Sequence, residues 1–217
     1  DNYDGVANQT VTVTTTDNDS AAFTLSANAG TVTEGASQAT FTVVLGAQPD
    51  TDVVFALSSA DEGEATIDSA ALTFTSANWD TAQTVTVTGV DDSLADGSQT
   101  TNITVSVNDG SSDNNFDALN DQTYVATTTD NDTAAVTLSK TTATVTEGAT
   151  TDSFTVVLGV QPVGNVVIGL SASDGTEATV SPASLTFTNG NWNSAQTVTV
   201  TGVDDNVIDV DTQSSIT

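Results

Sequence analysis

The sequence predicts an all-β protein built of tandem immunoglobulin-like, seven-stranded β-sandwiches with essentially no helix. Three observations carry that expectation. Short segments alternate apolar side chains with threonine at a period of two, as in Phe41, Val43 and Leu45 around Thr42, and Val85 and Val87 among Thr84, Thr86 and Thr88. Clusters of Gly, Asn, Asp and Ser punctuate these segments, and no stretch carries an apolar stripe at helical spacing. A long motif recurs in unbroken register.

The recurrence sets the organisation. TVTEG at Thr31–Gly35 returns at Thr144–Gly148, so Glu34 maps onto Glu147, 113 residues on. The same offset carries Gln48-Pro49 onto Gln161-Pro162 and Trp79 onto Trp192. It also carries AQTVTVTGVDD at Ala82–Asp92 onto Ala195–Asp205, and TTTDND at Thr14–Asp19 onto Thr127–Asp132. Roughly half the overlapping positions are identical, the mark of duplication within an array. By this register residues 1–20 are the last strand of a preceding repeat, 21–133 a complete sandwich, and 134–217 a second repeat lacking its final strand. No Met occurs, even at position 1, which marks the chain as a piece or processed product of something longer. A window on a longer array accounts for the register. So does donor-strand assembly, in which residues 1–20 of one molecule complete the last domain of the next.

Within the complete repeat the expected strands, in order, are A at 22–27 with 31–33, B at 39–46, C at 52–59, D at 71–75, E at 82–89, F at 101–108 and G at 121–129. Asn28–Gly30 interrupts A, Ala47–Asp50 turns B into C, Asp91–Gly97 separates E from F, and Asp109–Asn115 opens the F–G loop. Seven short strands in a repeat of this length fit an immunoglobulin-like sandwich, large enough to bury a core alone. Trp79 and Trp192, each following strand D, read as plugs of the sandwich edge in preference to sugar-stacking platforms.

Composition narrows the function. The chain has 29 Asp plus Glu against one Lys or Arg, a formal net charge of -28, which excludes a reader of phosphate backbones. The carboxylates are scattered singly and in pairs through a chain that is 37% hydrophobic, which favours folded domains over disorder. No Cys is present, so disulfides and thiolate metal sites are excluded. No apolar run approaches the length of a membrane-spanning helix.

The acids are placed by strand direction. In an up-and-down sandwich strands A, C, E and G run the same way, so the residues after them emerge at one pole. Those residues are Glu34 after A; Asp61, Glu62 and Glu64 after C; Asp91 and Asp92 after E; and Asp130, Asn131 and Asp132 after G. The second repeat supplies Glu147, Asp174, Glu177, Asp204 and Asp205. Like charges about 4 Å apart repel by roughly 4 kcal/mol at an effective dielectric near 20, so such a pole calls for a counter-ion. With oxygen donors only and no His or Cys, a hard cation is indicated, and calcium tolerates irregular six- to eight-fold oxygen coordination better than magnesium. The bland alternative is a set of solvated loop acids in Asx turns. Neither an EF-hand loop nor a glycine-rich nonapeptide repeat is present. The F–G loop, with Asp113, Asn115 and Asp117, belongs to the opposite pole, and Asp17 and Asp19 are expected to face the first full repeat as junction ligands.

The TVTEG segment, the Asp174–Ala178 stretch, the Trp-containing turn before AQTVTVTGVDD and the terminal TDND together resemble Calx-beta repeats. The resemblance implies a seven-stranded sandwich holding Ca2+ in its distal loops, with ligands falling on Glu34, Asp61, Asp91, Asp92, Asp130 and Asp132. It also implies the extender region of a large bacterial surface adhesin. The sequence departs from the family before strand F, where Asp96-Gly97 and Asp209-Val210-Asp211 replace an acidic pair.

Catalysis is not expected: there is no His or Cys, each carboxylate pair recurs in both copies, and no insertion builds a substrate cleft. The expected partners are neighbouring repeats of the same polypeptide or fibre, with no nucleic acid, membrane insertion or small-molecule substrate, and the expected location is extracellular. A self-assembling filament subunit and an accessory Ca2+-binding module of a secreted enzyme are the alternative readings.

Overall fold

The computed structural model describes residues 1–217 except Asp1, Tyr3, Ala149, Ile208 and Asp209; the Asp209 noted above therefore lies outside the described residues. It is all-β, with a single 3-10 turn at Asp109–Ser111 among the described residues.

The first repeat is a two-layer sandwich. Its strands are β1 (Phe23–Leu25), β2 (Ala29–Thr33), β3 (Gln38–Leu45), β4 (Val53–Ser59), β5 (Ala65–Ile67), β6 (Ala71–Phe74), β7 (Gln83–Gly89), β8 (Gln99–Val107) and β9 (Gln122–Thr129). One sheet has the order β1-β3-β7-β5 and the other β2-β9-β8-β4-β6. Strand A is therefore split between layers, as β1 and β2, while strand D is β6 and an additional short strand, β5, precedes it in the other sheet. The short β5 is absent from the sequence expectation, because three residues inside an acidic loop are too few to display a period.

The pairing also corrects the up-and-down picture. Chain neighbours β3 and β4 lie in different sheets, as do β6 and β7, so the connections cross the sandwich as in a Greek key. Strand direction nevertheless alternates. β2 runs parallel to β9, and β9 and β4 are each antiparallel to β8, so β2, β4 and β9 point the same way. The end of β7 meets the end of β2, where the Gly35 amide donates to the Gly89 carbonyl at 3.3 Å.

Inward alternation builds the core. Phe41, Phe55, Phe74 and Tyr124 are fully buried between the layers, with Val43, Val85, Val87, Ile103 and Val105. Phe41 stacks on Tyr124 at 4.6 Å between centroids, and Phe55 meets Phe74 edge-on at 5.8 Å. Trp79 packs against this cluster, and Trp192 does the same in the second repeat.

The second repeat forms β10 (Val136–Leu138), β11 (Thr151–Leu158), β12 (Val166–Gly169), β13 (Ala178–Ser181), β14 (Ser184–Phe187) and β15 (Gln196–Gly202). The sheet β10-β11-β15-β13 reproduces β1-β3-β7-β5 strand for strand, whereas the facing sheet is only β12-β14. Strand F is represented by a bridge from Ala172 to Ile216 and by backbone bonds between Ser171 and Thr217. Residues 142–146, equivalent to β2, adopt no strand. A β2-type edge needs a β9-type neighbour, and none lies beside it. Residues 1–20, expected as a last strand, likewise form no strand among the described residues, and Val11 and Val13 are 84% and 80% exposed.

Gly30 is required by the core. A Cβ there would overlap the hydroxyl of Tyr124 and sit 3.0 Å from its ring carbon. Gly30→Ala is expected to destabilise the first repeat by about 1–3 kcal/mol, the usual cost of overpacking. The penalty should shrink in a Tyr124→Phe background; a urea-denaturation double-mutant cycle reads the coupling.

Candidate metal centre

The acidic pole is assembled by the ends of four strands. β2 ends at Thr33, and the next residue, Glu34, turns inward until only 2% of it is exposed. Its backbone amide donates to the carbonyl of Thr129 at the end of β9 (3.2 Å), which continues the parallel β2–β9 pairing by one residue. Asn131 then clamps the pair of loops. Its backbone amide donates to Glu34 Oε2 (3.4 Å), and its side-chain amide donates to the Glu34 carbonyl (2.9 Å) and to Asp91 Oδ1 (3.1 Å).

Two glycines make the approach possible. Gly35 has φ +57°, the left-handed region that glycine enters without cost, and a Cβ there would stand 3.0 Å from the Asp91 carboxyl. Gly89 lies against the backbone of β2, where a Cβ would sit 2.8 Å from the Thr33 carbonyl oxygen.

Within this frame Glu34, Asp92 and Asp132 each present one carboxylate oxygen, all within 4.8 Å of one another. Asp92 is held by the Leu94 amide (2.7 Å), and Asp132 by donating its own amide to Asp130 Oδ1 (2.6 Å). Asp130 in turn accepts from the Gly97 amide at 2.8 Å. Asp132 Oδ2 is buried and accepts no hydrogen bond. Glu64 stands beside the trio, with Asp96, Asp61, Asp92 and Glu34 around it.

The electrostatics follow from that crowding. Burial, then the carboxylates of Asp130, Asp92 and Asp132, push the Glu34 carboxyl above its ordinary value against the opposing hydrogen bond from Asn131. Glu64 is raised by burial and by Asp96, Asp61, Asp92 and Glu34; Asp132 is raised by burial and by Asp130, Asp92 and Asp91. The chain's single cation, Lys140, offers no relief: it is paired with Asp152 in the second repeat.

Of the ligands expected from sequence, Glu34, Asp92 and Asp132 are brought together, with Asp61, Glu64, Asp91 and Asp130 around them. In the second repeat Gly148 (φ +58°) approaches the Asp204 carboxyl as Gly35 approaches Asp91. There Asp205 accepts from the Val207 amide, and Asp174 is held below its ordinary value by the hydroxyl and amide of Thr176. Glu147 matches Glu34 and Glu177 matches Glu64 at the repeat offset, but no trio forms among the described residues. A counterpart to Asp130–Asp132 is what that pole lacks. Asp17 and Asp19 are not gathered with the other acids: Asp17 accepts the Asp19 amide at 3.0 Å in an exposed Asx turn. At the opposite pole Asp113 is buried and accepts the amides of Asp50, Thr51 and Asn115, which holds it below its ordinary value. It fastens the B–C turn.

Asp96 was left out of the expected ligand set, although the loop from β7 to β8 begins and ends at this pole and strand direction alone assigns it there. The link from this loop to the second repeat also escaped the sequence. The Gln161 amide donates to the Ser93 carbonyl (2.8 Å) and the Ala95 amide to the Gln161 carbonyl (3.2 Å). Gln161 belongs to the repeated Gln-Pro pair, but the repeat does not mark it as a junction contact.

No family model and no curated sequence matches the chain. Among solved structures it is similar to the calcium binding domain CBD12 of CALX1.1, at 15% identity over 81% of this chain and 74% of that one, with a TM-score of 0.41. It is also similar to CBD12 from CALX1.2, at 11% identity over 81% and 73%, TM-score 0.36. A third likeness is to the E. coli chaperone DraB, at 10% identity over 83% and 87%, TM-score 0.37.

The raised carboxyls give the metal-free protein a distinctive pH response. A group whose folded pKa lies above its unfolded value, here 4.5 for Glu34 and Glu64 and 3.8 for Asp132, stabilises the fold below that value. The contribution fades as pH rises through the raised folded pKa. The depressed acids, Asp113, Asp174 and Asp152 at about 2, lose their contribution only as pH falls below 3.8. In chelator, the urea midpoint is therefore expected to fall as pH rises above the ordinary carboxyl values of 3.8 and 4.5, and Glu34→Gln to flatten that slope.

Proposed function

We propose that the chain is a calcium-binding structural spacer, a stretch of extender repeats from a long extracellular protein, bacterial and adhesin-like, in which Ca2+ at the acidic pole stiffens the join between repeats. The observation that carries this reading is the trio Glu34, Asp92 and Asp132, in which Glu34 is buried and Asp132 Oδ2 is orphaned. Carboxylate oxygens about 5 Å apart repel by about 3 kcal/mol per pair at an effective dielectric near 20. A divalent cation between them reverses the sign of that interaction and satisfies the orphaned oxygen.

The donor set supports calcium. All ligands on offer are oxygens, the chain contains no His or Cys, and the loops supply more oxygens than a magnesium octahedron uses.

The join to the next repeat supports a mechanical role. Asp92 is the last acid of the β7 end, its carboxylate holds the Leu94 amide, and the residues on either side of Leu94 bond Gln161 of the second repeat. An ion on Asp92 thus orders the loop that grips the neighbour. Glu34, Asp61, Glu64, Asp91, Asp130 and Asp132 serve as ligands or as the charge that attracts the ion, and neighbouring repeats are the partners. The reading is of a spacer and not of an enzyme, for a sequence without His or Cys.

Millimolar calcium is expected to raise the melting midpoint by about 5–10 °C, the size set by saturating a site about a hundredfold above its dissociation constant in a domain of this size. Magnesium at matched ionic strength is expected to give much less. Asp92→Asn should abolish both the calcium shift and the calcium-dependent gain in maximum dimension seen by small-angle scattering. Equal responses to the two metals would reduce the pole to a screened acidic surface.

A further inference from the structure

Tension along the chain meets the first repeat in one particular geometry. The chain enters this sandwich through β1 and β2 and leaves it through β9, and β2 and β9 lie side by side and parallel. A pull on the residues before β1 draws β2 towards its own N-terminus, while a pull on the residues after Thr129 draws β9 towards its C-terminus. The two strands are dragged past each other along their length. The bonds between them run across the strands, so they are strained together and not one by one.

The ladder resists that motion along its whole length and at both ends. The paired residues run from Ala29 opposite Val125 to Thr33 opposite Thr129. At one end the Val125 amide donates to the Asn28 carbonyl (2.9 Å), and at the other the Glu34 amide donates to the Thr129 carbonyl (3.2 Å). The Asn131 side-chain amide adds a bond to the Glu34 carbonyl (2.9 Å) just past the last pair. A notch holds the register. The Tyr124 hydroxyl fills the space where a Gly30 Cβ would lie, and the next inward residue of β2 is the buried Val32. Sliding in the direction of the pull carries that hydroxyl from the glycine onto the valine side chain, and a close-packed interior has no room for it. β1 is only three residues long and is joined to β3, so it yields first and passes the tension on to β2.

We propose that the first repeat has a mechanical function of its own: the parallel β2–β9 ladder is a shear clamp that must part before tension along the chain can unfold the sandwich. The clamp consists of backbone bonds and core packing, so it is independent of the calcium reading and is tested in chelator.

The sequence contains no Cys, so introduced cysteines are unique handles for single-molecule pulling on the intact chain. Thr133→Cys with Asn18→Cys loads the ladder in shear. Thr133→Cys with Ala36→Cys places both handles at the same end of β2 and β9 and peels the ladder bond by bond. At one loading rate the shear pair is expected to unfold at about three to five times the force of the peel pair, the ratio of bonds strained together to bonds strained singly. The shear event should release the sandwich in one main step of about 35 nm, the extended length of the chain between the handles less its folded span. Equal forces in the two directions would overturn the proposal, as would a shear trace in which the sandwich unravels in several small steps with no resistant one.

Discussion

The parallel pairing of β2 with β9 is the contact on which both the core and the acidic pole depend. Backbone amides and carbonyls removed from water must find partners, and β2 finds them only on the far end of its own repeat. That single ladder closes the five-stranded sheet, draws Tyr124 against Phe41, and continues through the Glu34 amide into the loop that carries Asn131 and Asp132. The second repeat shows what happens without it. The β1-type sheet forms in full, because its four strands are all present, but the segment equivalent to β2 stays unpaired and the facing sheet has two strands. Its acids meet no counterpart of Asp132. One ladder therefore couples packing to charge.

That coupling explains how a chain with a net charge of -28 keeps a defined fold. Most of its carboxylates face solvent or close Asx turns, where screening makes them cheap. The costly ones are confined to one pole, and there the backbone holds them: Asn131 restrains Glu34 and Asp91, the Leu94 amide restrains Asp92, and the Gly97 amide restrains Asp130. None of these bonds neutralises the charge. They fix positions and leave the electrostatic cost standing, which is the arrangement expected of a preorganised cation site.

Much of this was legible in the sequence because two periodicities are strong. Period-two alternation located β3, β4, β7, β8 and β9, and the repeat assigned the second set by copying. Strand direction then placed Glu34, Asp92 and Asp132 at one end, although the sheet order assumed for it was wrong, since direction alternates in a Greek key as in a meander. What escaped were features with no period. β5 is three residues long, the parallel β2–β9 ladder joins segments about a hundred residues apart, and the grip of Ser93 and Ala95 on Gln161 depends on how one repeat meets the next. Asp17 and Asp19 match Asp130 and Asp132 residue for residue yet are not gathered with other acids among the described residues, because the described residues of 1–20 form no strand to position them.

Comparing the two repeats position by position separates what the pole demands from what the core demands. Gly35 and Gly148 both adopt positive φ and both face an aspartate carboxyl; Gly89 and Gly202 both lie against the backbone of the threonine that precedes Glu34 or Glu147. These glycines are the same in each copy because a Cβ would displace backbone or carboxylate, neither of which can yield without moving the acids. Gly30 is the position at which the copies differ, the second carrying Ala143, and there the crowding atom belongs to a side chain, the Tyr124 hydroxyl. The pole is therefore fixed by backbone geometry that every repeat shares, while the strand beside it is matched side chain by side chain. The first constraint holds the acids together; the second sets how closely β2 approaches the Tyr124 ring.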